Sequence, residues 1–577
     1  MTGLGKMFMV MVWGLYGLAH AEGPLRIVAT GGRMGHNRIT VSGSQTAFWH
    51  RTPHQLGGPV DEIQVGFMNW FHSYTDEVAN ENEVVIEHAW LERASTGQVI
   101  ALMFGGGREL SMPAHSGRAY FSADPVDSDR WTGDTPARDE VFWVHARGRV
   151  PTNGKICLGT PATWTGARFI VYDPVEDPGT YDRAGEVPSI SGAKAQLLGL
   201  PLVFTGRYSA PGYLSVIGLG DSILNGSGDS SRTLPAISGF GFFNRAAVDE
   251  HGENTIAMFN LTRHGATSKT WSTATRQPAF LSLANVVVEE FGTNDLGSNG
   301  TGDVEALKAR LEALWARARG AGVQYVLRTR LLPRTASTDG YRTLENQTPN
   351  PGWGEGGVRD EMNAFFDAAK SEGKLDEVVH TLSPVADPTD LHFWLTDGTH
   401  EYVNADSTHL NPKGNEILGV VLRDALLSLQ PDANVDTYSE WSSRVEWEGA
   451  DSSPEADPNG DGVTNLEAYA YDVSPVEPVD TVDLPVVEVD PVEIWGGPWL
   501  SLVYRRNPAA GDLAYRFKTV EDLVNGGWHS VFVDAVDAVE EIVDADPDGD
   551  GTAELVRMKV KVGPEDARKF LALEIGM

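Results

Sequence analysis

The sequence predicts a multidomain chain: a central α/β domain on a parallel sheet, preceded by a β-sandwich and followed by a small all-β domain. Its 577 residues exceed what one hydrophobic core accommodates, so three or more units are expected. The patterning also changes along the chain. From Glu22 to Gly206, short alternating segments are separated by Gly, Pro, Asn and Asp, with no long helical period. From Tyr213 on, apolar runs end in polar turns that read as entries into helices, as strands of a parallel sheet do. The expected boundaries are 22–210 for the sandwich, 211–432 for the central domain, 433–484 for a linker and 485–577 for the terminal domain, behind a leader at 1–21.

The leader carries Lys6, an apolar stretch from Met7 to Leu18, and Ala19-His20-Ala21 before Glu22. That is the pattern of a signal peptide cleaved after Ala21, and it predicts an exported protein, extracellular or periplasmic. The apolar stretch is too short to span a bilayer, and no later segment approaches the needed length, so no membrane span is expected. Arg38 to Ser42, Ile63 to Phe67 and Glu83 to His88 are among seven or more strands expected in the antiparallel sandwich. Trp49, Trp70, Phe71, Trp131 and Trp143 read mostly as core, with a sugar-stacking face as the alternative. Cys157 is the only cysteine, so no intrachain disulfide forms; within Gly154 to Leu158 it reads as a small buried hydrophobe.

In the central domain the run Tyr213 to Leu219 ends in Gly220-Asp221-Ser222, which places Ser222 at a strand's carboxyl edge, at the turn into a helix. A serine there is often only a helix cap. Three later segments supply what a nucleophilic serine needs, a base for its proton and donors for an oxyanion. Val286 to Gly292 is a second strand pattern, followed by Thr293-Asn294-Asp295, so Asn294 emerges at the same edge with a side-chain amide to donate. Between them, Gly265 in Asn260 to Ser268 lets a backbone N–H approach a ligand closely. Asp406-Ser-Thr-His409 precedes Leu410-Asn-Pro-Lys-Gly414 and a helical pattern from Asn415 to Leu429. A carboxylate three residues before a histidine can hold its tautomer.

These four blocks, in this order, resemble the SGNH hydrolase superfamily, the GDSL esterases and lipases, over residues 211 to 432. The resemblance implies a three-layer flavodoxin-like α/β fold and ester hydrolysis through an acyl-enzyme, without a catalytic cofactor. It casts Ser222 as nucleophile, His409 as general base and Asp406 as its orienting carboxylate. The N–H groups of Ser222 and Gly265 and the side chain of Asn294 take the oxyanion. Ile223 stands where many members have Leu. A second Asp-x-x-His, Asp397 to His400, precedes the first; Leu-Asn-Pro-x-Gly follows only His409, so His400 reads as a rim or loop residue. Phe104-Gly-Gly-Gly, Ser122 to Val126 and Asp139 to Trp143 are similar to extracellular members that carry a sandwich ahead of the hydrolase domain.

Beyond Leu429, Asp457, Asn459, Asp461, Val463 and Glu467 alternate around Gly462 in a pattern suited to structural calcium. It departs from the EF-hand loop, since Glu467 falls one position early, and resembles the calcium repeats of dockerin and thrombospondin type 3 modules. Asp544 to Gly551 reads instead as a β-hairpin connection, and Ser474 to Leu484 as an extended linker. The formal charge of -35, from 80 acidic and 45 basic residues, argues against nucleic acid as partner. Arg328, Arg330 and Arg334 either bind an acidic substrate or, as preferred, pair with the abundant carboxylates. Together these features point to an ester substrate, an acetylated glycan, and to a secreted carbohydrate O-acetylesterase. A lipase or short-chain esterase is the alternative, and a noncatalytic carbohydrate-binding or adhesion protein on a hydrolase scaffold is the rival from another class.

Overall fold

The computed structural model describes residues 10–14 and 24–429, except 134, 230–238 and 397–400, and discontinuous segments between 442 and 576. The chain is multidomain: residues 25–431 form one compact unit, and residues 1–24 with 432–577 form another.

The first unit begins with two antiparallel sheets. One has eight strands, with Val84–Arg93, Val141–Arg149, Ala47–Leu56 and Arg168–Tyr172 adjacent in that order; the other has five and centres on Val60–Phe67 and Leu202–Tyr208. Strand Ala47–Leu56 is buried along its whole length because both faces are covered. Phe48 joins an apolar cluster with Val65, Phe67, Phe142 and Phe204. Its neighbour Trp49 points to the opposite face and packs with Trp90, Ile170 and Tyr172, as the two-residue period of a strand requires. Trp49, Trp70 and Trp131 are core residues; Phe71 and Trp143 are half-buried and lie under the guanidinium groups of Arg38 and Arg51, at 5.2 and 3.5 Å. Cys157 is buried in strand Lys155–Leu158, and burial pushes its thiol up to about 12.

The central sheet has five parallel strands in the spatial order Ala257–Asn260, Ser215–Leu219, Val286–Glu289, Tyr325–Thr329, Glu377–Val379. In chain order this is 2-1-3-4-5, so the direction of winding switches between the first and third strands, where such sheets open a crevice at their carboxyl ends. Ile217, Val287 and Val326 pack with Leu307, Leu311, Trp315, Met362 and Phe366 on one face. Val216, Val286, Val288 and Leu327 pack with Phe242, Phe243, Leu418 and Leu422 on the other. Each such apolar side chain contributes about 1.5–3 kcal/mol by leaving water. Helix Val304–Gly320 starts where Asp303 accepts from the Ala306 N–H at 3.0 Å, and it buries Leu307, Leu311, Leu314, Trp315 and Ala318, one stripe of its surface.

No linker separates the antiparallel sheets from the central one within this unit. Arg26 donates to the Ser282 carbonyl at 3.0 Å, Ser215 Oγ to the Ile27 carbonyl at 2.6 Å, and Arg138 Nε to the Thr255 carbonyl at 2.9 Å.

In the second unit, helix Asn465–Tyr471 is followed by two four-stranded sheets, in one of which Ala538–Asp544 pairs antiparallel with Glu554–Lys561. Most of the expected hairpin turn between them lies outside the described residues. Of the expected leader only Val10–Gly14 is described, as a strand pairing in parallel with Phe570–Gly576. No helix among the described residues is long and apolar enough to cross a membrane.

Candidate active site

The loops after the first three central strands are hydrogen-bonded to one another at the carboxyl edge of the sheet. The Arg263 N–H donates to the Gly220 carbonyl at 3.1 Å, and Asn294 Nδ2 donates to Asp221 Oδ2 at 3.0 Å and to the Ala266 carbonyl at 3.1 Å. These bonds gather Ser222, Gly265 and Asn294 into one region, as their spacing predicts.

Ser222, His409 and Asp406 form a continuous chain of hydrogen bonds. His409 Nε2 lies 2.7 Å from Ser222 Oγ, and His409 Nδ1 lies 2.7 Å from Asp406 Oδ2. The local sequence explains the alignment. Asp406 Oδ1 accepts from the N–H groups of Thr408 and His409, each at 3.0 Å, which folds Asp-x-x-His into a tight turn and leaves Oδ2 for the ring. Asn404 holds the carbonyls of His409 and Leu410 at 3.1 and 3.0 Å. Behind them helix Pro412–Leu427 is capped by Asn411, which accepts from the Gly414 N–H. Burial raises the Asp406 carboxyl, but the hydrogen bonds from the His409 N–H and ring and from Thr408 outweigh it and hold Asp406 below its ordinary range. Ser222 is 8% exposed at the first turn of the short helix Ser222–Asn225.

Neither the Ser222 N–H nor the Gly265 N–H has a hydrogen-bond partner among the described residues. Gly265 sits at φ +71°, where a Cβ would be strained and would lie 3.3 Å from Tyr74 Cδ1. The Asn294 side chain is present, but its amide protons are directed at Asp221 and Ala266. Asp397 and His400, the alternative pair, lie outside the described residues.

Beneath Ser222 is a carboxyl pair that the sequence reading did not single out. Asp221 is fully buried; its Oδ1 accepts from the Ile223 N–H at 2.9 Å and its Oδ2 from Asn294. Glu290 Oε2 accepts from the Asp221 and Leu224 N–H groups at 3.0 and 3.4 Å, and the two side chains are hydrogen-bonded to each other. Burial first, then the charge of Asp221, push Glu290 well above the ordinary carboxyl range, so the pair holds its proton on Glu290. Asp221 is itself raised by burial, an effect opposed by the Ile223 N–H and Glu290. The available signal was Glu289-Glu290, two acids closing an apolar strand. Gly220 is required here, since a Cβ would come within 2.8 Å of Glu290 Oε2.

The three arginines in and after the fourth strand part company. Arg328 is fully buried against Glu289, with Nε 3.3 Å from Oε2, and Arg330 pairs with Asp367 at 2.5 Å. Arg334 reaches the site: it donates to Thr408 Oγ1 at 3.3 Å and to the Thr293 carbonyl at 3.4 Å, over the Trp353 ring at 5.4 Å. A separate cavity of about 480 Å³, lined by Arg330, Arg359, Asn363, His380 and His392, includes none of Ser222, Gly265, Asn294, Asp406 and His409.

In the second unit Asp457, Asn459 and Asp461 accept from the backbone N–H groups of their own loop, and Glu467 turns to the N–H and hydroxyl of Thr464, at 2.9 and 2.8 Å. Glu467 thereby caps helix Asn465–Tyr471. Among the described residues no three His, Cys, Asp or Glu side chains are grouped to hold a metal ion.

Residues 219–417 match the model of the GDSL-like lipase/acylhydrolase family. Similar solved structures include a lipase/acylhydrolase from Enterococcus faecalis (18% identity, TM-score 0.27, covering 37% of this chain and 94% of that one). A GDSL-like lipase from Bacteroides thetaiotaomicron is also similar (16% identity, TM-score 0.24, 37% and 87%). So is an acetylxylan esterase from Geobacillus stearothermophilus (15% identity, TM-score 0.25, 37% and 91%). No curated protein matches the chain. The chain is a hydrolase that carries, over residues 219–417, a GDSL-like lipase/acylhydrolase domain.

Proposed function

We propose that this protein is a secreted serine carboxylic ester hydrolase acting on an O-acetylated carbohydrate. The carrying observation is the alignment of Ser222 Oγ, His409 and Asp406 at 2.7 Å per link. Ser222 attacks the ester carbonyl while His409 Nε2 takes the hydroxyl proton, and Asp406 stabilises the imidazolium. The N–H groups of Ser222 and Gly265 hold the oxyanion, joined by Asn294 once one of its protons swings from the Ala266 carbonyl. His409 returns the proton to the departing alcohol. Water then repeats the attack to release acetate and free Ser222. The chemistry calls for no cofactor.

The reading extends to the flanking parts: a flavodoxin-like layering of the central sheet, a β-sandwich accessory role for the two antiparallel sheets, and export after cleavage at Ala21. The acetylated-glycan assignment is supported by the leader and the accessory β regions. Calcium at Asp457, Asn459, Asp461, Val463 and Glu467 would be structural. Loading it requires Glu467 to leave Thr464, so chelation should lower the melting temperature of residues 432–577.

The test is acetate release from acetylated polysaccharides compared with p-nitrophenyl esters of increasing chain length. Preference for long acyl chains would favour a lipase. Equal p-nitrophenyl acetate hydrolysis by wild type and Ser222→Ala would sink the serine mechanism.

A further inference from the structure

Beside Gly265 lie two guanidinium groups without a carboxylate partner among the described residues. Arg263 is 7% exposed; its Nε donates to the His72 carbonyl at 2.8 Å and its Cζ stands 4.4 Å from the centre of the Tyr74 ring. Arg33 has a buried Nε with no hydrogen-bond partner. Between them is His36, with Nε2 3.0 Å from Arg263 Nη1 and Nδ1 3.2 Å from Arg33 Nη2. A neutral imidazole has one acceptor nitrogen, and a guanidinium only donates. One of these two contacts therefore sets N–H against N–H and lacks an acceptor; the Tyr74 side chain, hydrogen-bonded to Arg263, relieves only that guanidinium. Burial, then Arg33 and Arg263, press His36 far below its ordinary range, so the ring stays neutral. Several other buried arginines do have acids, Arg51 with Glu92, Arg93 with Glu140 and Arg328 with Glu289, whereas Arg423 is satisfied by the Ala246 and Asn254 carbonyls.

The cluster adjoins the catalytic residues. The His264 ring stands edge-on to His36, with centroids 4.9 Å apart, and its Nδ1 is hydrogen-bonded to Ser227 Oγ. The Ser227 N–H in turn donates to the Ser222 carbonyl at 2.9 Å. Arg33, His36, His72 and Tyr74 all come from the amino-terminal antiparallel part of the unit.

We propose that Arg33 and Arg263 form an anion subsite on the rim of the Ser222 site, and that the ester substrate carries an acidic group, the carboxylate of a uronic acid or a sulfate. This rests on the carbohydrate-ester reading above. The missing acceptor is supplied by the substrate's anionic oxygens. The chain's net charge of -35 does not forbid it, because exposed charges are screened beyond ~8 Å at physiological salt while the two arginines act at contact. Discrimination follows from leaving buried donors unpaired when the acid is absent.

The test is calorimetric binding to Ser222→Ala of acetylated oligogalacturonate, its methyl ester, a sulfated xylo-oligosaccharide and the unsulfated one. An acidic ligand should bind at least ~10-fold more tightly than its neutral counterpart, as expected of charge-assisted hydrogen bonds in a desolvated site. The advantage should shrink in high salt and in Arg33→Gln or Arg263→Gln. Whichever acid is preferred identifies the source. Equal binding of acidic and neutral ligands overturns the proposal, and so does a preference unmoved by salt and by both substitutions. The esterase reading is scored separately, by p-nitrophenyl acetate turnover in wild type. Turnover without anion preference sinks only the subsite, and preference without turnover sinks only the esterase.

Discussion

Asn294 Nδ2 donates to Asp221 Oδ2 at 3.0 Å, fastening the loop after the third central strand to the residue that precedes Ser222. Asp221 uses both oxygens as acceptors, one for Asn294 and one for the Ile223 N–H. An asparagine at 221 has one acceptor and leaves one buried donor unpaired, at about 1–3 kcal/mol. Asp221→Asn should therefore lower both melting temperature and kcat. Asn294→Ala removes the expected oxyanion donor as well as the tie, and should lower kcat by about 10²–10³. Wild-type kcat in Asn294→Ala, measured on p-nitrophenyl acetate, would remove Asn294 from the oxyanion site.

Glu290 supplies a sharper contrast. Its Oε2 serves the Asp221 and Leu224 N–H groups, while the protonated carboxyl donates to Asp221. A glutamine reproduces both functions, one oxygen accepting and one N–H donating, with no charge to bury. Glu290→Gln should fold and turn over close to wild type, whereas Glu290→Ala strands two N–H groups beside Ser222 and should lower kcat at least ~10-fold. If Gln is as damaging as Ala, an ionised Glu290 is the form that matters.

How much of this was legible in the sequence depends on the range of the interaction. Asp406 and His409 are three residues apart and fold their own turn, so the spacing made them candidates, and the Leu-Asn-Pro-x-Gly that follows His409 set them ahead of Asp397 and His400. Ser222, Gly265 and Asn294 were legible because each follows an apolar strand pattern, and parallel strands deliver their loops to one edge. The contribution of Arg33, His36, His72 and Tyr74 was not legible, because it depends on how the antiparallel sheets pack on the central one. Arg263 meets His36 across 227 residues of chain. Nor was the burial of Glu289 and Glu290 legible, since charged residues at a strand's end ordinarily face water.

The choice of base is tested by single substitutions. His409→Ala should abolish turnover while His400→Ala leaves it near wild type, since His409 Nε2 already stands 2.7 Å from Ser222 Oγ. Asp406→Asn should keep the turn but offer His409 Nδ1 a poorer partner, lowering kcat by on the order of 10³–10⁴. The reverse pattern for the two histidines would move the base to the earlier Asp-x-x-His.

The Glu289–Arg328 pair makes the stability of residues 25–431 depend on pH in a direction that can be worked out. Burial pushes Glu289 up to about 7 from an ordinary 4.5, against the pull of Arg328, the Phe291 N–H and Trp315. A carboxyl whose folded value is raised binds its proton more tightly in the folded state. Its contribution to stability is full below about pH 4.5 and is lost as pH rises through about 7. The loss is at most about 1.4 kcal/mol per pH unit. Other titrating groups overlap this range, so the measurement is a difference: the melting temperature of wild type minus that of Glu289→Gln, followed from pH 5 to 8. Glutamine has no proton to lose, so the difference should fall as pH rises. A difference that instead climbs through the acid range would mean that Arg328, 3.3 Å away, outweighs burial and holds Glu289 ionised in the folded protein.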